Sequence, residues 1–180
     1  MGRIIITRLI AAPVETVFAY VDDYRNTTKY MKDLSKWQPT GDKTHGKGSE
    51  FEVGMRAGPT TLTSMVLITH WTENRVIGWS SQSGFKQSGK WQFRSKGEDT
   101  EATFEMEYEF GGGIAGRMLG RAAEPIVRGN LEQSVAALKT NTEKLAAKGG
   151  GASQRKPAAK SAGAKTASPG RARSGAAAKR

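Results

Sequence analysis

The chain has 180 residues, a formal net charge of +11 and no cysteine. That length suits one ordinary domain with an appendage, and the missing cysteine excludes disulfide staples, thiolate chemistry and cysteine-based metal sites. Nine of the 28 Lys and Arg residues lie in residues 148–180, which hold none of the 17 Asp and Glu residues, so the charge belongs to that tail and the first 147 residues are nearly neutral.

Residues 3–10 read as an Ile-rich first strand. The opening apolar run is cut by Thr7 and Arg8, so no secretory signal is recognised, and a cytoplasmic protein is expected. No stretch approaches the roughly 20 apolar residues of a membrane span, so no transmembrane segment is expected. Pro13 suits a first helical turn. Val14, Val17, Phe18 and Val21 then recur at helical spacing, with Glu15 at the positive end of the helix dipole. Residues 24–31 predict a second short helix.

A run of strands follows. Residues 36–39 are a weak signal, and residues 49–56 alternate cleanly, with Phe51, Val53 and Met55 on one face. A turn is expected at Ala57-Gly58-Pro59. Strands are predicted over residues 60–71, 75–81 and 88–94. The strongest signal covers residues 102–110, where Phe104, Met106, Tyr108 and Phe110 alternate with Glu105, Glu107 and Glu109. The short turns favour antiparallel neighbours, since parallel pairing needs long crossovers. After three glycines the period becomes helical from residue 115 to 147, with Pro125 expected to kink or interrupt the helix. Thirty such residues span roughly 45 Å, enough to cross a sheet.

Residues 148–180 contain no aromatic residue and no Leu, Ile, Val or Phe. They cannot bury enough apolar surface to offset the entropy of ordering, and a disordered basic tail is expected. Nine cations attract polyanions without specificity: nucleic acid or an anionic membrane surface. With no aromatic among them, base stacking is not expected.

The opening text, with Ala12-Pro13, Glu15, Val17-Phe18 and Asp22 after an apolar strand, resembles the START-like (SRPBCC) superfamily. That group includes polyketide cyclase/dehydrase-like and coenzyme Q-binding START-type proteins. The resemblance covers about residues 2–147 and agrees with the element order. It implies an α+β helix-grip fold, a curved antiparallel sheet of about seven strands wrapped around a long C-terminal helix, with a cavity between them. The domain is then residues 1–147 and the tail residues 148–180.

A curved sheet clasping one helix presents its inward side chains to such a cavity. The ligand-binding candidates on the strands are Phe51, Val53 and Met55, then Leu62, Met65 and Leu67, then Ile77 and Trp79. Trp91, Phe93, Phe104, Met106, Tyr108 and Phe110 follow. The helix offers Met118, Ala122 and Ile126. Arg56, Arg75, His70, Tyr108 and Tyr30 are candidates to orient a ligand. The same alternation is also what a filled core shows.

Other patterns carry less. Gly111-x-Gly113-x-x-Gly116 matches a dinucleotide fingerprint literally, but no strand follows to complete a βαβ unit. The glutamates at spacing two read as a solvated sheet face. No nucleophile, base and orienting residue come together, so no catalytic residue is named. The expected function is binding of an apolar small molecule (lipid, quinone or polyketide-like) as carrier or sensor. The alternatives are a polyketide cyclase/aromatase-like enzyme, or a nucleic-acid-associated protein acting through its tail.

Overall fold

In the computed structural model, residues 2–57 and 60–153 are described. The expected turn residues Gly58 and Pro59, and the tail from residue 154, lie outside them. The first strand, β1 (Gly2–Ile10), is followed by α1 (Val14–Asp22), a 3-10 turn (Tyr24–Asn26) and α2 (Thr27–Tyr30). Six strands come next: β2 (Leu34–Pro39), β3 (Glu50–Ala57), β4 (Thr60–Thr72), β5 (Val76–Gly84), β6 (Lys86–Lys96) and β7 (Asp99–Glu109). The last element is α3 (Gly113–Ser153).

All seven strands form one antiparallel sheet in the order β1-β7-β6-β5-β4-β3-β2. Each of β3 to β7 pairs with the strand before it, whereas β1 pairs with β7, from Gly2 opposite Tyr108 to Ile10 opposite Thr100, and β1 and β2 are the two edges. The sheet curls around α3 as a half-barrel, the helix-grip arrangement.

The strands form where the sequence alternates. In β7 the buried positions are Thr100, Ala102, Phe104, Met106 and Tyr108. The glutamates between them face outward, where the neighbouring strands supply cations. Arg3 Nε donates to Glu105 at 2.9 Å and lies 3.4 Å from Glu107, and Lys90 lies 3.1 Å from Glu105. The carboxylate row read as simply solvated is therefore ion-paired across the sheet. Between β5 and β7, Gly89 of β6 leaves room for the Trp79 indole, which a Cβ there would strike. Gly112 and Gly113 take positive φ (103° and 61°) and turn the chain from β7 into α3.

The helix α3 passes through Pro125 without a break and continues to Ser153, six residues past the expected end. Its second half is the buried one. Leu131, Val135 and Leu138 enter the core against Ile4, Ile6 and Ile10 of β1 and Val17 and Phe18 of α1. Polar contacts fix this half in place: Ser134 Oγ accepts from the Lys32 amide at 2.7 Å, and Glu143 accepts from the Ala11 amide at 2.8 Å. The expected apolar face does not extend into the first half, where Ala122 is exposed and Ile126 is 68% exposed.

Candidate functional site

Because α3 seats its second half on β1 and the end of the sheet, the rest of the concave face is left uncovered by its own side chains. The result is a cavity of about 760 Å³, within the range of small-molecule sites. Strand β3 contributes Phe51, Val53 and Met55; β5 contributes Ile77 and Trp79; β6 contributes Gln87 and Trp91. Strand β7 and the residue after it contribute Phe104, Met106, Tyr108 and Phe110. From α3 come Ala123, Ile126, Val127 and Leu131, and from the α1–α2 segment Val21, Tyr24, Thr27 and Tyr30.

Register decides which side chains of β4 take part. Phe51 pairs with Val66, Val53 with Ser64 and Met55 with Leu62. Paired residues share a face, so Leu62, Ser64 and Val66 point inward with β3's apolar row. Met65 and Leu67, expected inward, pair with Glu52 and Glu50 and lie on the opposite face. A register shift between Ile68 and His70 then changes the parity, and Trp71 turns inward while His70 is exposed. Trp71 and Ile68 line the cavity, although sequence alternation alone had not marked either.

Three other expected residues sit elsewhere. Phe93 is buried but not at the cavity; it packs edge-on against Phe18 (5.6 Å between ring centroids) and stacks on Trp91. Met118 and Ala122 are exposed on α3 and do not line the cavity. Of the polar candidates, Arg56, Tyr30 and Tyr108 line it, while Arg75 and His70 do not. The segment 14–31 carries no strand alternation, so its share of the wall has no periodic signal.

The polar groups form two sets at the rim, with further groups deeper in. At one end Trp71 Nε1 donates to Asp22 Oδ1 at 2.7 Å, and His45 Nδ1 lies 3.8 Å from Asp22 Oδ2. This set ties the loop before β3 to the end of α1. At another part of the rim, Asp33 accepts from Asn130 Nδ2 at 2.6 Å and its carbonyl accepts from the Arg56 amide at 2.8 Å, joining the α2–β2 turn to α3 and β3. Deeper in, Gln87 Nε2 donates to Ser64 Oγ at 3.1 Å. Trp79 Nε1 and Tyr108 Oη are buried with no hydrogen-bond partner among the described residues. Burial raises the Tyr30 and Tyr108 phenols above their ordinary values, with the Glu124 carboxylate adding to the rise at Tyr108. Both therefore stay neutral near pH 7. The lining is mostly apolar and aromatic, with few polar groups: suited to holding an apolar body rather than a polyanion.

Residues 1–143 match the family model described as polyketide cyclase / dehydrase and lipid transport. No curated protein matches the sequence at a significant level. Among solved structures, TTHA0849 from Thermus thermophilus superposes with a TM-score of 0.70 at 20% identity, covering 80% of this chain and 99% of that one. A START superfamily protein from Mycobacterium smegmatis gives 0.64 at 18% identity, covering 79% and 98%. The Zhui aromatase/cyclase from Streptomyces sp. R1128 gives 0.61 at 16% identity, covering 79% and 94%. At these identities the structural likenesses establish the shared fold.

Proposed function

The chain belongs to the polyketide cyclase/dehydrase and lipid transport family, and from that premise we propose that it binds an apolar small molecule (lipid, quinone or polyketide-like) between the curled sheet and α3, as a carrier or sensor. The observation that carries this reading is the cavity itself: about 760 Å³, walled by Phe51, Trp79, Trp91, Phe104 and Met106. A ligand burying about 300 Å² of apolar surface there gains roughly 7 kcal/mol gross at ~25 cal/mol per Å². Association costs reduce that gain, so micromolar affinity is expected. Among the described residues no helix is long and apolar enough to cross a membrane.

Filling the hollow tests the reading. Met106→Trp and, separately, Val53→Phe place extra volume on the concave face. A fluorescent fatty acid is expected to bind the wild type in the micromolar range and each filled variant at least tenfold more weakly, at unchanged secondary structure. Equal binding by wild type and both variants would place the probe elsewhere and remove the proposal. Turnover of a poly-β-ketone by the wild type, lost in the same variants, would make the cavity a cyclase site instead.

A further inference from the structure

The first half of α3 leaves large apolar side chains in water. Ile114 is 71% exposed, Met118 67% and Ile126 68%. Spaced four and eight residues apart, and with exposed Ala122 between the last two, they lie on one i, i+4 ridge that winds about 120° around the helix from Ile114 to Ile126. In the second half Leu131, Val135 and Leu138 are buried, and Leu145, at 44%, is less exposed than Ile114, Met118 or Ile126. Ile126 also lines the cavity, so the exposed edge is continuous with one lip of its mouth. The same segment's sequence carries Arg117, Arg121 and Arg128 against one acid, Glu124; Arg121 is exposed, and Arg128 is half-buried, 3.8 Å from Glu124.

We propose that this first half of α3 docks the protein on an anionic lipid surface, with Ile114, Met118 and Ile126 entering the interface between headgroups and acyl chains. An apolar edge flanked by arginines on an amphipathic helix fits such a surface, where burial of the aliphatic groups and attraction to anionic headgroups add. Nine further Lys and Arg residues follow in residues 148–180. Stable attachment generally takes two signals, an apolar insertion and a basic segment, and this chain has both. A nucleic acid would engage the arginines but leave three aliphatic side chains uncovered. A second copy of the chain, meeting this face about a two-fold axis, would set Arg121 against its own counterpart. With its mouth against the bilayer, the cavity would exchange an apolar ligand without carrying it through water. The docking itself does not depend on a ligand.

The full chain is mixed with vesicles of phosphatidylcholine alone and with vesicles containing about 30% phosphatidylglycerol, and binding is followed by co-sedimentation. The wild type is expected to bind the anionic vesicles. The pair Ile114→Asp with Met118→Asp is expected to bind at least about tenfold more weakly at unchanged Tm, since both side chains face water. Ile114→Ala with Met118→Ala should shift in the same direction by less, which covers any loss of folding in the aspartate pair. Binding of both variants equal to wild type would overturn the proposal. So would no binding to either vesicle, duplex DNA bound in place of vesicles, or a wild-type dimer that the variants abolish. None of these results depends on whether the cavity is filled.

Discussion

Tyr108 and Trp79 each bring a polar atom into the core and leave it without a partner among the described residues. A buried donor left unpaired costs about 1–3 kcal/mol, whereas removing it while keeping the shape is nearly neutral or stabilising. Tyr108→Phe is therefore expected to hold or raise the melting temperature. A fall of several degrees would show that the hydroxyl is bonded after all. Asp33 is the opposite case. Its carboxylate accepts from Asn130, so Asp33→Ala should cost about 1 kcal/mol in denaturant unfolding. Three carboxylates set the acid response, one of them Asp23, which Arg25 holds below the usual aspartate range. Lys139 holds Glu143 below the usual glutamate range, helped by the Ala11 amide, and Arg3 does the same for Glu105, helped by Lys90. A depressed carboxylate stabilises fully above its unfolded value, near pH 4.3 for a glutamate, and loses that contribution as pH falls through its lower folded value. Glu143→Gln should flatten the loss of stability below about pH 4.5, read as Tm against pH.

At the scale of elements, α3 is one continuous helix with two different duties. Leu138 is fully buried, so Leu138→Ala should cost about 3 kcal/mol. Ile126, mostly in water, should cost about 0.5 kcal/mol or less on truncation to Ala. Comparable losses at the two sites would mean that the first half is also packed in the core. Sequence periodicity found the helix but spread one apolar face along all of it. The buried apolar positions Leu131, Val135 and Leu138 lie in the second half, and nothing in the spacing marks where that burial stops. The strands were legible for the reverse reason: a half-buried antiparallel strand alternates along its whole length, as β3 and β7 do. Strand β4 defeated the same reading, because the inward row of Leu62, Ser64 and Val66 includes a serine while the outward row holds Met65 and Leu67. Its shift before His70 then reverses the face, and a bulge leaves no mark in hydropathy.

For the molecule as a whole, the cavity follows from where the helix sits. A seven-stranded antiparallel sheet that curls this far makes a concave face wider than one helix covers. The apolar part of that wall on β3, β5, β6 and β7 could be named from alternating aromatic and aliphatic residues. The contributions of Val21 and Tyr24 could not, because only the folded chain brings segment 14–31 over the cavity. Alternation cannot separate a filled interior from a hollow one either, since both need the same inward row; the resemblance in the opening motif supplied that expectation. Native mass spectrometry of the full chain after exposure to a lipid and quinone extract, beside the Met106→Trp variant, tests the hollow most directly. The account predicts a one-to-one adduct on the wild type that is strongly reduced on the variant. Only the bare mass for both, or the same adduct on both, would contradict it.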